Sequence, residues 1–178
     1  KQYTLDLALF GGASIGVVPS MTWAVTPRLQ FGLAPWLAIA IEGMTTQAKG
    51  LEVTGATGKF DVELWALGLD ACVGGKATEA LSVFSCVGLR RGTFTTHGQG
   101  FEPLGNDTDV PSPWWAVAAA GHVRLWVVPT FGLGLAVEAL VPLAPRDIVV
   151  TMGTDVLHHR KVSGIGFAIT AGPVFRFF

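Results

Sequence analysis

The sequence has few charged residues and no long hydrophobic run. Charged side chains make up 14% of its 178 residues, against roughly 25% in soluble proteins, while 50% of the residues are hydrophobic. Apolar runs such as Trp114–Gly121 fall short of the roughly 18 to 20 residues that a membrane helix needs. The composition therefore excludes a helical membrane protein and is unlike that of an ordinary soluble domain.

Two further shortages narrow the class. The net charge is −1 and no Lys/Arg run exceeds two residues, so the chain lacks the basic surface that nucleic-acid binding requires. Only 3 methionines stand against 23 glycines, and glycine weakens helices but is frequent at strand bends and barrel corners. These features favour a β-rich chain with no nucleic-acid partner.

Apolar residues alternate with polar or small ones along most of the chain, which is the period of a β-strand. A closed β-barrel is the remaining way to place so much apolar surface in a bilayer, because it pairs every backbone group between strands. We therefore predict an all-β fold, an eight-stranded antiparallel up-and-down transmembrane β-barrel in which residues 1–178 form a single domain. The predicted strands are Tyr3–Val17, Thr22–Leu33, Trp36–Lys49, Phe60–Val73, Leu81–Thr93, Trp114–Val127, Phe131–Val141 and Val162–Phe178.

The fourth predicted strand changes phase near Leu64, which we interpret as a bulge or the end of the membrane. Short links join strands two to three, four to five and six to seven, whereas the opposite side has long polar loops at Gly50–Lys59, Thr95–Pro113 and Pro142–Lys161. This asymmetry is typical of membrane barrels, which have short turns at one end and long loops at the other.

Cys72 and Cys86 fall on the inner face of neighbouring strands. We predict that they form a disulfide, which would imply an oxidising compartment. Two buried free thiols remain an alternative, and a metal site is less favoured because no Cys-x-x-Cys or nearby His pair is present.

The inward positions carry balanced charge. An eight-stranded barrel is just wide enough for side chains to fill, so we expect a salt-bridge network to plug the lumen, with a narrow ion or proton path as the alternative. His122 is expected to be a satisfied interior histidine. The predicted network consists of Asp6, Arg28, Glu42, Asp70, Arg90, Arg124, Glu138 and Arg176.

Six tryptophans lie mostly near strand ends, as expected of the aromatic girdles of a membrane barrel; a sugar-stacking surface is the competing interpretation. They are Trp23, Trp36, Trp65, Trp114, Trp115 and Trp126. The acidic loop with Glu102, Asn106, Asp107 and Asp109 lacks the spacing of a known calcium loop, so we expect no metal and no cofactor.

Catalysis needs a nucleophile, a base and an orienting partner within reach of one another. His97, His158 and His159 fall in predicted loops, and Ser163 lies shortly after His159 in the sequence. These residue types would allow a lipid hydrolase with its active site at the barrel rim. Because adjacent histidines point to opposite sides of a strand, we predict no enzymatic activity.

The closing segment Ala171–Phe177 contains a glycine followed by aromatics two residues apart, with Phe178 after it. It resembles the C-terminal β-signal of the small eight-stranded bacterial outer-membrane barrels, of the outer membrane protein A and outer membrane protein X type. The resemblance implies that Gly172, Phe175, Phe177 and Phe178 are read by the barrel-assembly machinery during insertion into the outer membrane of a Gram-negative bacterium.

We therefore expect an integral outer-membrane protein of the cell envelope with periplasmic termini and extracellular long loops. Its expected partners are outer-membrane lipid and lipopolysaccharide, the assembly machinery and other envelope proteins. The expected role is structural or interactive, as a subunit of a larger assembly or alone; a narrow channel, a lipid-modifying enzyme and a soluble lipocalin-like carrier are the alternatives.

Overall fold

The computed structural model describes residues 3–52, 58–99, 109–144, 147–152, 155–161 and 164–177. At 98–99, 109–110, 147–152 and 155–161 only the backbone is described. This part of the chain forms ten strands, and no helix in it is long and apolar enough to cross a membrane.

Eight of the strands form a closed antiparallel barrel in the order β1-β10-β7-β6-β5-β4-β3-β2. The predicted fold class is therefore confirmed. The strands are β1 (Thr4–Ile15), β2 (Thr22–Ala34), β3 (Leu37–Glu52), β4 (Lys59–Lys76), β5 (Leu81–Gln99), β6 (Asp109–Val128), β7 (Phe131–Pro142), β8 (Asp147–Met152), β9 (Asp155–Lys161) and β10 (Gly166–Arg176).

The first and last barrel strands pair with each other, with Asp6 opposite Arg176, and this contact closes the sheet. Both described termini lie at the end that also holds the turns Pro35–Trp36, 77–80 and Pro129–Thr130. We call this the short-turn end and the opposite one the long-loop end.

Large hydrophobic side chains point outward from every barrel strand and are 40 to 79% exposed. We call these outward residues the apolar belt. One member from each strand is given by Leu7, Val25, Ile39, Leu69, Val87, Val123, Leu135 and Ile169. The strands form because β-branched and other apolar residues at every second position cover one face, while small and polar residues fit the narrow interior.

The strands near the long-loop end are longer than the sequence pattern predicts. β5 continues to Gln99 and β6 begins at Asp109, so His97 and Asp109 are opposite one another in a strand pair and not in a loop. The predicted loop Pro142–Lys161 also contains structure, the two-stranded sheet of β8 and β9.

A bulge, one of the two explanations of the pattern change near Leu64, is wrong. Lys59 to Lys76 pair with Gln99 to Ser82 in one uninterrupted register. Phe60, Val62 and Leu64 are buried on the same face as Asp70. The polarity of the inward residues changes along β4, whereas the direction of the side chains does not.

Candidate functional site in the barrel interior

All eight predicted network residues lie in the lumen, and seven of them are at most 5% exposed. Arg176 is the exception, with 19% of its side chain exposed at the short-turn end. The charges divide into two groups, which differ in depth and composition.

The central network joins Arg28 and Arg90 to three carboxylates. Arg28 Nη1 donates to Glu42 Oε2 and to Asp70 Oδ2, each at 2.6 Å. Arg90 Nη2 donates to Glu42 Oε1 at 2.9 Å and to Glu138 Oε1 at 2.7 Å, and its Nη1 donates to Asp70 Oδ1. Arg90 Nη2 also donates to Asp70 Oδ2 at 3.3 Å, which makes Arg90 and Asp70 a bidentate pair. Such multiply bonded pairs can offset the desolvation cost of buried charges.

The mouth network surrounds Asp6 nearer the short-turn end. Arg124 Nη1 donates to Asp6 Oδ2 at 2.7 Å and its Nη2 donates to Gln30 Oε1 at 2.6 Å. Arg176 Nε donates to Asp6 Oδ1 at 2.8 Å, and its guanidinium lies 3.9 Å from the centre of the Trp126 ring. Two arginines here share one carboxylate, whereas in the central network two arginines share three.

Two glycines that sequence reasoning passed over make room for the central network. A Cβ at Gly68 would collide with the Arg90 side chain, and a Cβ at Gly88 would collide with the Asp70 carboxylate. Both glycines lie directly opposite the charged residue on the neighbouring strand. A glycine facing an arginine or aspartate across two lumen strands is the sequence signal that would have identified them.

Cys72 and Cys86 are paired as a disulfide between β4 and β5. Both cysteines are at most 3% exposed. Arg28 Nη2 lies 3.0 Å from Cys72 Sγ and 3.2 Å from Cys86 Sγ. The disulfide therefore packs against Arg28 of the central network inside the lumen.

The long-loop half of the lumen is filled by apolar side chains, which the sequence analysis did not predict. We call this group the apolar plug. Its residues are Val17, Val18, Met44, Ala48, Phe60, Val62, Leu64, Ala66, Phe94, Trp114, Ala116, Ala118 and Leu140.

Part of the plug comes from the link between β1 and β2. Gly16 has a φ of 82°, a conformation that favours glycine, and the chain then turns inward. Val17 and Val18 are 2% and 1% exposed. Alternation along the predicted strand Tyr3–Val17 would put Val17 on the outward face with Leu7 and Ile15. That expectation is wrong, because the strand ends at Ile15 before reaching Val17.

Around the plug, the outer surface of the central strands is polar. Gln47 and Lys49 on β3, Glu63 on β4 and Thr93 on β5 are exposed. On these three strands the wall thus becomes polar outside toward the long-loop end, while its inner face becomes apolar.

The tryptophans divide between the two faces. Trp23, Trp36, Trp65 and Trp115 are 43 to 79% exposed and lie toward the ends of the apolar belt. Trp114 and Trp126 are 4% and 8% exposed and lie in the lumen. They are not girdle residues: Trp114 belongs to the plug, and Trp126 Nε1 donates to Ser82 Oγ at 3.0 Å.

His122 is buried at 2% exposure, as an inward residue should be, but it is not hydrogen-bonded as predicted. Within the described residues, neither ring nitrogen has a hydrogen-bond partner. The strand neighbours of His122 are Phe84 and Ala136, and the Phe10 ring centre lies 6.2 Å from its own. Arg28 and Arg124 also lie near the ring, but they donate to carboxylates and to Gln30 instead.

The other candidate residues form no site in the described structure. No group of His, Cys, Asp and Glu there has the arrangement of a metal centre. Ser163, Glu102, Asn106 and Asp107 lie outside the described residues, as do the side chains of Asp109, His158 and His159. In the closing strand, Phe175 and Phe177 are 43% and 59% exposed, and a Cβ at Gly172 would collide with the backbone of Leu9; Phe178 is not described.

Solved structures share this architecture over nearly the whole chain. A major outer membrane protein from Thermus thermophilus aligns with a TM-score of 0.67 at 12% identity, covering 99% of this chain and 100% of that one. OprG from Pseudomonas aeruginosa aligns with a TM-score of 0.67 at 11% identity, covering 98% and 95%. The N-terminal β-barrel domain of Pseudomonas aeruginosa OprF aligns with a TM-score of 0.62 at 11% identity, covering 98% and 97%.

No protein-family model matches the sequence, and no curated protein matches it. The solved structures nevertheless show that the chain has the fold of the small eight-stranded outer-membrane β-barrels, as the resemblance of its sequence predicts.

Proposed function

We propose that this chain is an integral outer-membrane barrel with a closed interior and a non-catalytic, structural or interactive role in the cell envelope. The observation that carries the proposal is the polarity of the wall. The apolar belt exposes large hydrophobic side chains on all eight barrel strands, whereas each of these strands also places one charged residue of the two networks inside the lumen. A bilayer is the environment that makes both faces favourable, and a soluble lipocalin-like carrier would require the reverse.

The proposed orientation has the short-turn end and both termini in the periplasm and the long-loop end outside the cell. Turn lengths support it, since small membrane barrels have their short turns on the periplasmic side. Exposed tryptophans mark both ends of the belt, Trp36 at one and Trp23 near the other, as expected of two membrane interfaces. Protease added to intact cells should cut in the segment between β7 and β10 and leave a tag at the amino terminus intact.

The proposed partners follow from this location. Lipid and lipopolysaccharide would surround the apolar belt, and the barrel-assembly machinery would recognise the closing strand with Phe175, Phe177 and Phe178. Other envelope proteins would meet the long loops or the outer wall. Phe177→Ala should lower the amount of barrel in the outer membrane in cells and leave spontaneous insertion into vesicles of short-chain phosphatidylcholine unchanged.

Insertion itself is the first test. The purified chain, diluted from urea into those vesicles, should gain β-sheet circular dichroism and remain with the vesicles after alkaline washing. A chain that stays folded and monomeric in buffer without detergent would refute the membrane assignment.

Conductance is the second test. The apolar plug and the two charged networks occupy successive parts of the lumen, so a continuous aqueous path is not expected. Wild-type protein in planar bilayers should therefore show no sustained opening. Steady openings on the nanosiemens scale that persist at low protein concentration would show that the protein is a channel and would refute the closed barrel.

A further inference from the structure

Arg91 is an exposed cation on the lipid-facing wall. Its strand neighbours on either side are Leu67 on β4 and Trp115 on β6, which also point outward. The guanidinium carbon lies 5.1 Å from the centre of the Trp115 ring. Within the described residues no carboxylate pairs with Arg91, although every arginine of the two lumen networks has one.

The nearest outward carboxylate across the strand pair is too distant to neutralise this charge. Glu63 lies opposite Thr95, which is four residues beyond Arg91 and roughly 13 Å away along the strand. An arginine that faces lipid costs about 2 to 4 kcal/mol at the bilayer midplane but only about 0 to 1 near the interface. The position of Arg91 is therefore favourable only at headgroup depth or beside an anion.

Neighbouring residues place Arg91 at headgroup depth. Trp65 lies opposite Thr93, the next outward residue of β5, and Trp115 lies opposite Arg91 itself. Tryptophan concentrates at the membrane interface. Beyond this level the outer surface is polar, with Thr93 and Glu63 exposed, and before it the belt continues with Leu89.

A groove of about 350 Å³ runs along the wall from Arg91 toward the middle of the belt. Its walls include Ile41, Leu67, Leu69, Leu89 and Trp115. It thus combines an apolar lining with the exposed cation Arg91, and these two features suit an acyl chain attached to an anionic headgroup.

We propose that this groove is a binding site for a phosphate-bearing glycolipid of the outer leaflet, of the lipid A class. Arg91 donates to the phosphate, Trp115 holds the guanidinium by a cation–π contact, and an acyl chain lies along Leu67, Leu69 and Leu89. The proposal rests on the outer-membrane orientation given above, because only the outer leaflet reaches the level of Arg91.

Native mass spectrometry of the detergent-solubilised barrel tests the site with purified lipid A as the probe. Arg91→Gln should weaken retention about tenfold, the loss expected for one charge-assisted hydrogen bond to phosphate. The matched control is Lys49→Gln, which removes an exposed cation of β3 outside the groove and should retain lipid A like the wild type. Trp115→Leu should weaken retention by a smaller factor.

Wild-type protein provides a readout that does not depend on the folding of any variant. Lipid A from which the phosphates have been removed should be retained about tenfold less, and phosphatidylglycerol should compete weakly. Equal retention by Arg91→Gln and wild type, or of dephosphorylated and intact lipid A, would overturn the site. Equal retention of phosphatidylglycerol would overturn its assignment to a glycolipid. If the chain inserts into vesicles but fails these tests, only the lipid site is refuted and the proposed membrane role is unaffected. If the chain does not insert, the proposed membrane role itself is refuted.

Discussion

The two halves of the barrel interior differ in what fills them. Toward the short-turn end the lumen holds four arginines and four carboxylates in the central and mouth networks. Toward the long-loop end it holds the apolar plug, around which the outer wall of β3 to β5 becomes polar.

The difference shows how the surroundings of a barrel wall select its interior. Where the outside is apolar, the interior can carry charge, because the closed wall keeps each ion among its partners. Where the strands extend past the apolar belt at the long-loop end, they pack as in a soluble barrel, with hydrophobic residues inside. The two regions of the interior should therefore respond to different substitutions, and the following predictions test this.

The largest effect is expected in the central network. Arg90→Ala removes the donor shared by Asp70, Glu42 and Glu138, and breaking a buried ion pair typically costs about 3 to 5 kcal/mol. Urea titration in lipid vesicles, followed by tryptophan fluorescence, should show a fall of about 4 kcal/mol in the free energy of unfolding. A loss no larger than that of Lys59→Ala, an exposed control, would contradict the network's importance.

The apolar plug should respond next. Leu64 is fully buried, and Leu64→Ala should lower the free energy of unfolding by about 3 kcal/mol, because a cavity adds to the lost transfer energy. Leu67 on the same strand points outward and is 50% exposed. Leu67→Ala should cost less, since lipid fills the space. Equal losses in the same urea titration would mean that the plug is loosely packed.

The disulfide is expected to contribute somewhat less. Cys72→Ser combined with Cys86→Ser opens a link across 14 residues and should cost about 2 kcal/mol, at the lower end of the usual range. In the folded wild type, both sulfurs lie beneath Arg28 and away from solvent. Reductant and alkylating reagent should therefore label the cysteines after unfolding in urea but not before, as mass spectrometry would show. Labelling of the folded barrel would indicate an open lumen.

The smallest effect is expected at the surface of the long-loop end. Lys59 Nζ and Glu52 Oε1 are 3.7 Å apart, with side chains 59% and 82% exposed. Glu52→Gln should change the free energy of unfolding by less than about 0.5 kcal/mol, since exposed pairs are weak and screened by salt. A loss comparable to that of Leu64→Ala would show that this rim is more tightly packed than its exposure indicates.

Much of the fold could be predicted from the sequence because alternation determines which residues share a face. Leu69 and Asp70 differ by one position, and so one had to face outward and the other inward. The pairing between charges could not be predicted, because Arg124 and Asp6 are 118 residues apart and meet only when the sheet closes. The hydrogen-bonding state of His122 was also predicted wrongly, since its neighbours come from other strands.

The apolar plug was missed for a related reason. Phe60, Val62 and Leu64 alternate with Asp61 and Glu63, and this pattern is the same whether the apolar face meets lipid or the lumen. We interpreted it as a bulge or the end of the membrane. The continuous register with β5 excludes the bulge, and these residues point inward.

The sequence by itself determined the β-barrel class, the number of barrel strands and the inward position of the eight network residues, because each depends on local alternation and composition. Only the tertiary structure decided which charges meet, how high the strands rise and what closes the long-loop half of the lumen. These features depend on strand register and on closure of the sheet. Both bring together residues that are far apart in the chain, and local sequence does not predict such contacts.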